Sequence, residues 1–142
     1  MCTAIRHVAV GFLFHDASGK VLLHLRDEDK PPSPGQWAFF GGRSEPEDGA
    51  DLLATWQREM REELGVVLER TRIVPLRHGT YDDGARWHDF YASWPSLDHR
   101  FALTEGQCYA WFTLDEAFGL PDLADYARED LRFFRERLTR ED

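Results

Sequence analysis

Apolar positions along this chain change their period several times, and each change marks an element. Residues 4–14 (AIRHVAVGFLF) are nearly continuous in apolar, β-branched and aromatic side chains, which predicts a buried strand. Residues 16–20 (DASGK) carry turn chemistry, with Gly19 free to take a positive φ, and residues 21–26 (VLLHLR) return as a second strand, so the two form a hairpin. Three prolines and a glycine make residues 27–36 (DEDKPPSPGQ) a loop. Residues 37–40 (WAFF) read as a short strand feeding Gly41 and Gly42. From Asp51 to Leu64 the spacing becomes helical, with Leu53, Trp56, Met60 and Leu64 recurring on one side and Gly65 placed to end the helix. Beyond it, residues 66–76 predict an irregular β-stretch and residues 77–94 a hairpin turning at Asp82, Asp83 and Gly84. After a break at residues 95–100, residues 106–113 predict a strand that ends the sheet, residues 113–117 a short capped helix, and residues 126–138 a closing amphipathic helix with Leu131, Phe134 and Leu138 as its packing stripe.

The polar side of the first long helix changes the picture. Glu59, Glu62 and Glu63 stand at spacings of three and four, so they share one face. Like charges so placed destabilise a helix by a few tenths of a kcal/mol per pair, roughly 0.2–0.5. A hard divalent cation reverses that repulsion, because Mg²⁺ binds through a few carboxylates together with substrate phosphates. The alternative is a solvated acidic surface offset by Arg58. A strand, a glycine pair and an acid-lined helix in series resemble a phosphate and metal site more than a solubility device. Asp48 fits the spacing of a helix N-cap with Asp51, and a catalytic role for it is the competing reading.

These residues resemble the Nudix box, G-x5-E-x7-R-E-U-x-E-E-x-G-U, where U is a bulky aliphatic residue. Arg58, Glu59, Met60, Glu62, Glu63, Gly65 and Val66 match every fixed position of its second half. The first half departs: Gly42 is followed at the glutamate position by Asp48, and nine residues rather than seven separate Asp48 from Arg58, a loop lengthened by two. The resemblance implies an α/β/α sandwich, a mixed β-sheet flanked by helices, over a single domain of residues 1–142. It implies Mg²⁺-dependent hydrolysis of a nucleoside diphosphate linked to another moiety, with Mn²⁺ as an alternative metal. Within the same family the other reading is a (d)NTP or oxidised-nucleotide pyrophosphohydrolase, and outside catalysis a nucleotide-sensing module.

By the same resemblance the metal-facing groups are Glu59, Glu62, Glu63 and the Gly41 carbonyl. The catalytic set is Glu62, Glu59, Glu105 and Arg58, with Arg58 orienting the glutamates and Glu105, in the loop before the last strand, a candidate base. Arg26, Lys30, Trp37 and Phe40 are the candidate substrate contacts. Two solvated cations is the competing reading for Arg26 and Lys30, and packing is the commoner fate of Tyr81, Trp87 and Tyr91, any of which could stack on a base. Glu45, three residues after Gly42, either serves the metal or pairs with Arg58.

Composition narrows the partners. Seventeen Lys+Arg against 26 Asp+Glu give a formal charge of −9, which disfavours nucleic acid and anionic membranes. A polyphosphate substrate would then need local positive charge of the kind a metal supplies. Two cysteines, Cys2 and Cys108, are too few for a disulfide scaffold and suggest a reducing compartment. No apolar run approaches a membrane span, and the N-terminus lacks the pattern of a signal peptide, so the expectation is a cytoplasmic protein. The resemblance allows a homodimer, since many members are dimers, although nothing in the chain marks an interface.

Overall fold

The structure, a computed structural model, describes residues 7–141. The start of the first expected strand, residues 4–6, and Cys2 lie outside the described residues. Seven strands form one mixed sheet: β1 Val8–His15, β2 Lys20–Leu25, β3 Trp37–Ala38, β4 Phe40–Arg43, β5 Ile73–Thr80, β6 Arg86–Ser93 and β7 Cys108–Thr113. The main path runs β3-β2-β1-β6-β5, with β4 beside β1 and β7 beside β2. The pairing of β1 with β6 is parallel and the other ladders are antiparallel.

One edge of β1 is shared. Phe14 and His15 pair with β2, whereas Val8 to Gly11 pair with β4. The short strand expected at residues 37–40 is thus the first half of a chain that changes partner at Phe39, leaving β2 for β1. That crossing delivers Gly41 and Gly42 to the flank of the first helix.

Helices cover both faces, giving the expected α/β/α layering. On one side α1, Leu52–Leu64, buries Leu52, Trp56, Met60 and Leu64 against Leu22, Phe40 and Phe90. On the other, α3, Asp125–Glu141, buries Ala127, Leu131 and Phe134 against Phe12, Phe14 and Leu23. A short helix α2, Leu114–Phe118, begins at Thr113, whose hydroxyl accepts the Glu116 N–H while the Glu116 carboxylate accepts the Thr113 N–H, so the expected cap is present.

Residues 66–72 differ from the expected β-stretch. Val66 and Leu68 plug the core beneath α1, a 3₁₀ turn follows at Arg70–Arg72, and the strand starts only at Ile73. Alternation there served burial of two isolated side chains rather than a ladder. Among the described residues no helix is long and apolar enough to cross a membrane.

Phe134 is fully buried and meets Phe12 at 5.1 Å, Phe14 at 4.9 Å and Tyr91 at 4.8 Å, centroid to centroid. Phe134→Ala is expected to cost about 3–5 kcal/mol in denaturant unfolding; a loss well under 1 kcal/mol would contradict the packing described for α3.

Candidate active site

Helix α1 is closed at both ends by its own sequence. The Asp51 carboxylate accepts the N–H groups of Leu53 (3.1 Å) and Ala54 (3.3 Å). At the other end Gly65 takes a left-handed conformation (φ 69°), donating to Arg61, while Val66 donates to the Met60 carbonyl. Asp51, not Asp48, is therefore the N-cap. The lengthened loop makes a 3₁₀ turn at Pro46–Asp48, and this turns the Asp48 carboxylate onto Arg58.

Arg58 is the hub. Its Nε donates to Asp48 Oδ1 at 3.1 Å and its Nη2 to Asp48 Oδ2 at 3.0 Å, with Thr55 Oγ1 donating to the same carboxylate. Nη1 reaches Glu59 Oε1 (3.1 Å), Glu62 Oε2 (3.0 Å) and, more loosely, Glu45 Oε1 (3.5 Å), and Nη2 also serves the Arg43 carbonyl. The Arg58 and Asp48 side chains are 8% and 5% exposed, so this pair is screened little by water. The Arg58 hydrogen bond holds the Asp48 carboxyl down to about 2, and in turn the guanidinium is held above its ordinary value.

The three box glutamates meet different surroundings. Glu62 is half-exposed, Glu59 is 15% exposed, and Glu63 is buried. Glu59 lies directly over Gly42, where a Cβ would stand 2.8 Å from its Oε1. A side chain there would push the Glu59 carboxylate aside. Burial raises the Glu59 carboxyl, with Arg58 opposing the shift. Glu63 has no guanidinium of its own. Burial first, then Glu59 and Glu105, push it up to about 9. Its polar neighbours are the Gly41 N–H and the Glu105 carboxyl, and its Oε2 accepts no hydrogen bond.

Glu105 arrives from a distant loop. Ala102 N–H donates to the Leu64 carbonyl, Thr104 N–H to Glu63 and Thr104 Oγ1 to Glu62, all on the last turn of α1. Beyond Glu105, Gln107 N–H donates to Leu25 and its side chain to the Arg26 carbonyl. Nothing in the sequence marks these tethers, because most of them are made by backbone.

The remaining expected contacts scatter. Arg26 donates to the Pro31 carbonyl at 3.4 Å, and Lys30 pairs with Asp27 at 3.7 Å on an exposed loop. Trp37 is half-buried edge-on to Phe112, on the α3 side of the sheet. Phe40 is 0% exposed, stacked on His24 at 4.5 Å, and its carbonyl accepts the Trp56 indole N–H, so its ring is packed in the core. His24 is packed, and burial holds it down to about 4. Tyr91 stacks on Phe12 and Trp87 lies under Arg77; Tyr81 is partly exposed. A second buried acid pair escaped the sequence entirely. Asp89 and Asp130 adjoin beneath α3, where burial pushes Asp89 up to about 10, and Arg77 reaches Asp130 at 3.1 Å.

Hollows of about 350 Å³ beside α3 (Leu76, Phe133, Arg137, Arg140) and about 330 Å³ behind Arg58 (Asp48, Gln57, Arg61, Leu68) include none of Glu59, Glu63 or Glu105. Among the described residues no three His, Cys, Asp or Glu side chains already stand around a common cation position; Glu59 and Glu62 face Arg58. The chemistry of the donors nevertheless fits a divalent cation. Glu63 offers a buried oxygen without a partner, and Glu59 and Glu105 crowd it with like charge.

The model of the NUDIX domain matches residues 5–136. The chain belongs to the Nudix family. It is a Nudix pyrophosphohydrolase. The family generally uses divalent metal ions, and its nucleotide hydrolases act on small-molecule nucleotides. The chain is 37% identical to nucleoside triphosphatase NudI of Escherichia coli O17:K52:H18 over 105 residues, covering 66% of this chain and 72% of that one. Against NudI of Salmonella arizonae it is 36% identical over 126 residues, 80% of this chain and 86% of the relative. The Nudix domain of Shewanella oneidensis NrtR, solved with ADP ribose, shares the fold with a TM-score of 0.71 at 23% identity, covering 97% and 90% of the two chains.

Glu63 sets a pH signature for the metal-free protein. Its folded value of about 9 lies above the ordinary 4.5, so the folded state holds the extra proton between those limits. Stability from this group is therefore full below about pH 4.5 and falls as pH rises toward 9. In EDTA, Glu63→Gln should match the parent near pH 5 and melt at a higher temperature near pH 8.5; parallel Tm-against-pH curves would contradict the assignment.

Proposed function

We propose that this Nudix enzyme cleaves, with Mg²⁺, the pyrophosphate linkage of a nucleoside diphosphate joined to another moiety, and that in its preferred substrates this moiety is phosphate. The preferred substrates are then nucleoside triphosphates, cleaved to a nucleoside monophosphate and pyrophosphate. The relatives named as nucleoside triphosphatases, at 36–37% identity, support that choice. The observation that carries the reading is the buried, unpartnered Glu63 oxygen beside Glu59 and Glu105, backed by Arg58.

Glu59, Glu62, Glu63 and the Gly41 carbonyl would hold the metal. When bound, such a cation neutralises phosphate oxygens and lowers the pKa of bound water. The chain's own residues do the rest. Arg58 contacts no substrate; it fixes the rotamers of Glu59 and Glu62 through charge-assisted hydrogen bonds. Glu105, at the exposed rim of the cluster, accepts the proton of the attacking water at its carboxylate. Arg26, whose carbonyl is tied to the Glu105 loop through Gln107, and Lys30 lie on the arm that would meet phosphate or sugar. Trp37 supports that arm from the β2 side.

A substrate panel tests the proposal. With Mg²⁺, nucleoside triphosphates should release pyrophosphate faster than ADP-ribose or nucleotide sugars release their products, and EDTA should stop all release. Glu62→Gln should lower turnover by at least about 100-fold while the protein stays folded. Preference for ADP-ribose would overturn the substrate choice, and near-normal turnover in folded Glu62→Gln would overturn the metal face.

A further inference from the structure

An α-helix leaves its last carbonyls without partners, and something must satisfy them. In α1 the accounting closes. Val66 N–H serves Met60 and Gly65 N–H serves Arg61. The final three carbonyls are served from one remote stretch: Thr104 Oγ1 to Glu62 at 2.8 Å, Thr104 N–H to Glu63 at 3.0 Å, and Ala102 N–H to Leu64 at 3.2 Å. Thr104 uses both its donors on the two consecutive residues that carry cluster carboxylates. The next residue is Glu105.

The far side of Glu105 is fixed as tightly. Gly106 takes φ +88° and sits on the buried His24 ring; a Cβ there would stand 2.8 Å from His24 Cδ2 and 2.9 Å from the Leu25 carbonyl. Gln107 then joins Leu25 and Arg26 at 2.8 and 2.9 Å. Glu105 is thus anchored one residue before and two residues after itself, to the helix bearing Glu62 and Glu63 on one side and to the end of β2 on the other.

From this geometry we infer that Thr104 is a positioning residue: its side-chain hydrogen bond to the Glu62 carbonyl makes the C-terminal cap of α1 set where Glu105 stands relative to Glu63. The inference rests on the hydrolytic reading above, with Glu105 as proton acceptor. When the hydroxyl is removed, the Ala102 and Thr104 N–H groups still tether the strap to α1, so the chain folds, and what is lost is the close placing of Glu105 beside Glu63.

Steady-state kinetics on Thr104→Val, Thr104→Ser, Glu105→Gln and the Thr104→Val/Glu105→Gln double variant test it. A displacement of about 1 Å in a catalytic group can cost about 100-fold. Thr104→Val should therefore lose about 10- to 100-fold in kcat with KM nearly unchanged, and Thr104→Ser should recover most of it. In the Glu105→Gln background the valine should cost nothing further, because the two act as one unit. Parent-like kcat in Thr104→Val overturns the inference, as does an equal loss in both backgrounds. If Thr104→Val does not fold, Gly106→Ala, which pushes the loop off His24 from the other side, should show the same loss confined to the Glu105 background, and parent-like kcat there overturns it equally. If Glu105→Gln keeps full turnover while Glu62→Gln abolishes it, the hydrolytic reading stands and this inference falls.

Discussion

The site depends on one guanidinium shared among too many carboxylates. Arg58 lies within ion-pair distance of Asp48, Glu45, Glu59 and Glu62, and both it and Asp48 are withdrawn from water. Removing one partner of such a buried pair typically costs about 3–5 kcal/mol, so the arrangement is held firmly. Its limit is as informative as its strength. Glu63 and Glu105 make no ion pair with Arg58, and burial, with Glu59 and Glu105 beside it, pushes the Glu63 carboxyl up to about 9. The same construction that fixes Glu59 and Glu62 leaves a deficit of positive charge beside them, which a divalent ion would fill in the proposed function.

The fold serves that deficit through an irregularity in the sheet. Because β1 gives one end of an edge to β2 and the other end to β4, the chain crossing between them delivers β4 against α1. Two glycines at the crossing let the Glu59 carboxylate lie against the backbone and turn the Gly41 N–H to Glu63. The strap at residues 102–104 then ties a loop beyond β6 to the end of the same helix. Cap, crossing and strap together bring carboxylates from two distant stretches into one cluster.

Much of this was legible wherever the information is local. Glu59, Glu62 and Glu63 share a face because helical spacing dictates it, and Gly65 ends the helix because only a left-handed residue closes the two carbonyl bonds seen there. Ambiguity entered where two residues offered the same local chemistry. Asp48 and Asp51 both fit a cap, and only the path of the lengthened loop decides that Asp51 takes it. Phe39 and Phe40 alternate across a strand too short to reveal which faces what; both are buried, on opposite sides of the sheet. Least legible were contacts between remote segments. The backbone of Ala102 and Thr104 carries no side-chain signature, and Asp89 finds Asp130 across 41 positions of sequence (130 − 89).

In the proposed metal site Glu63, whose carboxyl burial pushes up to about 9, would give up its proton when a cation binds. Calorimetric titration of the metal-free protein with Mg²⁺ near pH 7.5, repeated in buffers of different ionisation enthalpy, measures this directly. About one proton should be released per metal bound, reduced toward zero in Glu63→Gln. Binding with no proton released by the parent protein would contradict it.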